Sequence, residues 1–190
     1  MIRLKEKYQK EVIPTLLKKE EYKNVMQLPK IEKVVVNTGF GREVTSKTSG
    51  ERNKFLKNVL GDVAAICGQK PVLTKAKKSI SAFKVREGMP VGCKVVLRGQ
   101  KMYDFIDRVI HIALPRSRDF RGIDLKAVDQ NGNLTIAVKE HIVFPEVSPE
   151  KAKNIFGLEF TIVTTAKTKE EAIEFLRLIG LPLKEDNKEE

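Results

Sequence analysis

Lys70–Gly99 reads KPVLTKAKKSISAFKVREGMPVGCKVVLRG, and its far end has a period that its middle lacks. Cys93, Val95 and Leu97 alternate with Lys94, Val96 and Arg98, the period of a strand with one face turned inward. The middle, with Ser79, Ser81, Gly88 and Gly92, fits neither a helix nor a strand. It predicts an exposed arm between two strands. Through Arg98 the stretch holds eight bases (Lys70, Lys75, Lys77, Lys78, Lys84, Arg86, Lys94 and Arg98) against one acid, Glu87. Folding does not need so much like charge in one place, so the arm is expected to face an anionic partner.

Working outward, the upstream flank is helical. Phe55, Leu56, Val59, Leu60 and Val63 recur at helical spacing between Glu51 and Cys67, and Gly68 is placed to end that helix. IEKVVVN, Ile31–Asn37, is β-branched and strand-like, and TGFGREVTSKTSG reads as a loop behind it. Residues 3–19 predict a helix with Leu4, Tyr8, Val12 and Leu16 on one face, kinked or restarted at Pro14. Downstream, Met102, Phe105, Ile106, Val109, Ile110 and Ala113 make a helical stripe over 101–113, closed by Pro115. A long loop, PRSRDFRGIDLKAVDQNGN, turns at Asn131-Gly132. LTIAVKEHIVF and LEFTIVTTA read as strands. A capping box at Thr168 and Glu171 opens a last helix, which Gly180 and Pro182 end. Strands and helices mix without βα alternation. The fold class is therefore α+β: a mostly antiparallel sheet, helices packed on one face and a basic loop arm. No repeat or linker divides the chain, so residues 1–183 are expected to form one domain, with 184–190 a flexible acidic tail.

The formal net charge of the 190-residue chain is +11. Nucleic acid and an anionic membrane surface both suit such a charge. No apolar run is long enough to span a bilayer, and MIRLKEKYQKEV has no apolar signal region, which predicts a cytosolic protein. Cys67 and Cys93 stand in apolar contexts and read as reduced core residues. The 12 Phe and Tyr residues are too scattered for a base-stacking platform.

Catalytic patterns are weak. From Gly41 the chain reads G-R-E-V-T-S-K-T, with Ser46 where a phosphate-binding loop needs its second glycine. A strand-exit turn allowing close backbone approach fits better. His111 and His141, one on a helix and one in a strand, have no Cys or His at metal-ligand spacing. No metal, cofactor or catalytic set is expected. Arg116, Arg118 and Arg121 form a second basic cluster, in the loop after the 101–113 helix. Lys and Arg of the two loops would neutralise RNA phosphates.

GQKPVLTKAKKSISAFKVREGMPVGCKVVLRG, ALPRSRDFRG, NGN, FPE and TTAKT follow one another in an order that resembles the bacterial L-five family of large-subunit ribosomal proteins. The resemblance runs from about residue 5 to 183. It implies an α+β fold and a structural role without catalysis. It implies 5S rRNA, 23S rRNA, peptidyl-site tRNA, neighbouring large-subunit proteins and a small-subunit head protein as partners, no membrane, and a cytoplasmic place in the large subunit. Carried over by motif, Asn37, Gly39, Gly41, Gln69, Lys70, Thr74 and Lys75 would face 5S rRNA. Lys77, Lys78, Ser79, Ser81, Lys84 and Arg86 would belong to a tRNA-facing arm. Arg116, Arg118 and Arg121 would face tRNA or the small subunit. Arg42 stands where the family pattern has an acid, the Gly41–Gly68 segment is longer than usual, His141 replaces a glutamine, and the tail is extended and acidic. The rival readings are a free regulatory RNA-binding module and an RNA-modifying enzyme. The second would need the catalytic set that is missing.

Overall fold

A computed structural model describes residues 3–18, 22, 24–118, 120–150 and 154–184. Five strands, β1 (Ile31–Gly39), β2 (Val72–Lys75), β3 (Pro90–Leu97), β4 (Leu134–Val138) and β5 (Leu158–Thr164), form one antiparallel sheet in the order β2-β3-β1-β5-β4. The class is α+β, as the alternation and the helical stripes predict. Val34, Val36 and Thr38 of β1 are buried, while Lys33, Val35 and Asn37 between them are half-buried. One sheet face is thus covered more fully than the other.

The chain divides into two compact units, and β1, β4 and β5 contribute residues to both. The first unit holds residues 1–34, 98–136 and 161–190. In it, α1 (Leu4–Lys7) runs through a π turn (Tyr8–Val12) into α2 (Ile13–Leu17). Pro14 sits in the first turn of α2, and the Ile13 N–H reaches back five residues to Tyr8 O. The widened turn accommodates a ring that can neither donate nor fit a regular helix interior. The same device recurs where α5 (Gln100–Arg108) passes through a π turn (Val109–Ala113) into α6 (Leu114–Arg116). Pro115 therefore does not close the helix, as its ring suggested; the helix ends after Arg116. Leu16, Phe105, Ile106, Phe175 and Leu176 are buried here, and the Tyr8 and Phe175 rings meet edge to face at 6.1 Å. The last helix, α7 (Lys169–Ile179), keeps half of its expected capping box. Thr168 Oγ1 accepts from the Glu171 N–H, but Glu171 turns its carboxylate to the Lys167 N–H.

The second unit holds residues 35–97 and 137–160. Here α3 (Gly41–Ser46) and α4 (Ser49–Cys67) both pack on β3. The Gly/Ser/Thr-rich segment read as a loop contains α3, and Thr48 and Glu51 form a reciprocal capping box that starts α4. Gly68 ends α4 in the left-handed conformation at φ 62°, as its position predicted. Val59, Val63 and Ile66 of α4 are buried, as are Cys93 and Val95 of β3, and both cysteines are free. The strand expected over 134–144 stops at Val138, so His141 opens a 3-10 turn (His141–Val143) instead of lying in a strand. The expected tail covers residues 185–190, which lie outside the described residues, together with Lys184, which is exposed.

Candidate nucleic-acid interface

The stretch Lys70–Gly99 is a hairpin with an ordered arm. β2 and β3 pair antiparallel, Val72 with Lys94, Leu73 with Cys93, Thr74 with Gly92 and Lys75 with Pro90, and the register shifts between Thr74 and Lys75. Beyond the strands the ladder continues in irregular form. Ala76 N–H donates to Met89 O at 2.8 Å, and Gly88 N–H donates to Ala76 O at 3.0 Å. Ile80 and Val85 exchange two backbone hydrogen bonds around a 3-10 turn (Ser81–Phe83), which Lys84 closes at φ 52°. Ser79 Oγ accepts from Glu87 N–H at 2.9 Å and braces the arm across its width. Period arguments could not reach this conformation, because a twisted ladder with a bulge and a left-handed lysine has no sequence period.

All eight bases of the stretch are exposed, as are Ser79 and Ser81. Phe83 at the tip is 70% exposed, and Ile80 beside it is exposed as well. Such side chains contribute nothing to a core. They leave the arm's charge and its apolar tip open to a partner.

The carried-over residues form a strip, not a single cluster. At one end, Asn37 is half-buried, Gly39 is exposed, and the next residue's N–H bonds to Val91 O at 2.9 Å. A Cβ built on Gly92 would stand 2.7 Å from Thr38 O and 2.9 Å from Thr74 Oγ1. The bare glycine therefore lets the Asn37–Gly39 end of β1 approach Thr74 and Lys75 across β3. Gly41 begins α3 and lies against Val91. Gln69 and Lys70 follow the end of α4, exposed, with Gln69 Nε2 donating to Val96 O at 3.3 Å. Val96 and Gly92 are four residues apart on one strand, so the strip is roughly 13 Å long. A shallow hollow of about 300 Å³ lies over the Asn37–Gly39 end, lined also by Lys139, Gly157 and Glu159.

Arg116, Arg118 and Arg121 are exposed in the first unit. Their loop is pinned at its end, where Ile123 N–H donates to Pro182 O at 2.8 Å and Lys184 N–H to Ile123 O at 2.9 Å. Gly122, at φ 94°, makes room for the Pro182–Lys184 segment. The Asn131-Gly132 turn forms as expected, with Asp129 accepting from the Asn131 and Asn133 N–H groups.

Two residues beside the arm escaped the sequence reading. Thr45 of α3 and Arg52 of α4 line a polar concavity with Lys84, Arg86 and Met89. Arg52 gave no signal, because an arginine on a helix next to acids reads as a solvated face. His141 is also more than a loop residue. It is 0% exposed, its ring stacks on Phe156 at 3.9 Å, and its Nε2 lies 3.6 Å from Asp62 Oδ2. Burial lowers its pKa, partly opposed by Asp62, whose own carboxyl burial raises.

Residues 24–86 match the family described as Ribosomal protein L5, and residues 90–183 match the C-terminal region described for the same ribosomal family. The chain belongs to the L5 family of ribosomal proteins. It is 51% identical over 180 residues to the Large ribosomal subunit protein uL5 of Clostridium tetani (strain Massachusetts / E88), covering 95% of this chain and 97% of that one. The two matched regions meet within the arm, so the hairpin root at Gln69–Lys75 falls in the first and the returning strand β3 in the second. A member of the L5 family is a structural constituent of the large ribosomal subunit and not an enzyme, and in bacteria that subunit is cytoplasmic.

Proposed function

We propose that this L5-family protein grips 5S rRNA along the strip from Gln69 to Gly39, seats it in the central protuberance, and extends its arm to the elbow of the peptidyl-site tRNA. The loop carrying Arg116, Arg118 and Arg121 faces tRNA or a protein of the small-subunit head. One observation carries this reading. The hairpin keeps eight bases exposed on a backbone ladder that is itself hydrogen-bonded. A rigid cationic arm loses little conformational freedom on meeting a phosphate backbone, and each phosphate it neutralises releases counterions. The Asn37 side chain, without a hydrogen-bond partner among the described residues, has both amide donors and its carbonyl free for sugar and phosphate contacts.

A filter-binding titration of the purified protein with 5S rRNA tests the reading. Binding should weaken steeply with added salt. The double change Asn37→Ala with Gln69→Ala should cost about 1–3 kcal/mol, the scale of a few hydrogen bonds to charged groups. A flat salt dependence would remove the electrostatic basis of the proposal, and an unmoved midpoint would remove those two side chains from the site.

A further inference from the structure

We propose that Arg52, Lys84 and Arg86 form a seat for one RNA backbone phosphate beneath the arm, held jointly by helix α4 and the returning half of the hairpin. The inference rests on the reading of the arm as an RNA-facing element, and adds to it Arg52, a residue outside the family motifs. The seat is a concavity of about 600 Å³ lined by Thr45, Arg52, Lys84, Arg86 and residues 87–90. Three cations line it against one carboxylate, that of Glu87. The Arg52 guanidinium is half satisfied: one Nη donates to Lys47 O at 3.4 Å, whereas its buried Nε–H meets no acceptor among the described residues. A buried donor without an acceptor is costly, and a guanidinium that turns toward the hollow it lines would gain one from an anion bound there. A phosphate oxygen suits the guanidinium fork, which binds phosphates through paired N–H donors.

The neighbouring groups narrow the chemistry. Thr45 Oγ1 already donates to Arg42 O, and the Gly88 N–H is held by Ala76 O, so the free donors are those of the side-chain cations. A Cβ on Gly88 would meet nothing within 4 Å, so the rim is open to a polymer backbone. The seat brings a helix-borne arginine to the arm.

Two measurements on the full chain test the seat. In the first, inorganic phosphate is titrated against the labelled protein while the arginine Nε–Hε resonances are followed by NMR. Saturable shifts are expected at Arg52 and Arg86 and should vanish in Arg52→Gln. In the second, tRNA affinity is measured against salt for Arg52→Gln, for Arg86→Gln and for Lys57→Gln, an exposed α4 charge outside the seat. The slope of log K against log salt should become shallower by about 1 for each of the first two and stay put for the third. Arg86→Gln removes an exposed side chain, so it keeps the test sound if Arg52→Gln unfolds the protein. Unsaturable shifts spread over all surface cations overturn the seat, as do equal slopes for the seat variants and Lys57→Gln. Saturable phosphate binding in a protein that fails to bind tRNA would support the seat and sink the tRNA assignment of the arm.

Discussion

Gly92 sets the spacing on which the strip depends. Its missing side chain leaves room for Thr38 O and Thr74 Oγ1, both of which a Cβ would approach within 3.0 Å. One of the two is backbone and cannot rotate away. Gly92→Ala is therefore expected to lower stability by about 1–3 kcal/mol, the range for overpacking a tight site. It should also weaken 5S rRNA binding, since Asn37 moves with Thr38. Denaturant midpoints and a binding titration check the two effects separately. His141 offers a second test at this scale. Burial lowers its folded pKa below the unfolded value of about 6.5, so the neutral ring is the stable form in the fold. That contribution is present above the unfolded pKa and is lost as pH falls from there through the lower folded pKa. The raised pKa of Asp62 works in the opposite direction and lower in pH, nearer the ordinary carboxylate range. Thermal melts between pH 7.5 and 5.5 should show the wild type losing more stability than His141→Gln, which cannot titrate. A parallel loss in both would show that the imidazole does not set the slope.

Legibility at the level of elements followed physical period. α4, β3 and α7 repeat every 3.6 or every two residues, and their cores could be named from that spacing, while β1 was legible from its β-branched composition. The misread elements lack a period or are too short to show one. α3 spans six residues of turn-forming chemistry, and the π turn before Pro115 continues a helix that this proline was expected to close. β4 was read too long because HIVF continues the β-branched composition of LTIAV, although the backbone has already left the sheet at His141. For the candidate site, the exposed basic arm was readable from charge alone. The Arg52 concavity was not, because it joins residues more than thirty positions apart through tertiary packing. The arm yields its own prediction. Residues 77–88 are exposed apart from Val85, so little apolar area is buried there. Replacing Ser79–Met89 with a short Gly/Ser turn should leave the melting temperature within about 2 °C of the wild type, since closing a short surface loop costs little. A larger drop would mean that the arm belongs to the cooperative fold.

For the whole molecule, a net charge of +11 and an exposed basic hairpin are the basis of the proposal that one element has two tasks. The root, near Asn37, Thr74 and Lys75, is assigned to 5S rRNA. The tip, near Lys78, Phe83 and Lys84, is assigned to tRNA. This division is the central claim, and it requires that the two contacts be separable. The most direct measurement is the dissociation rate of peptidyl-site tRNA from ribosomes reconstituted with the Gly/Ser-turn protein, with protein and 5S rRNA both quantified in the same particles. Intact 5S rRNA occupancy with tRNA leaving about fivefold faster, equivalent to about 1 kcal/mol for the lost tip charges, is the result expected. Equal dissociation rates in particles that retain the shortened protein would contradict the account.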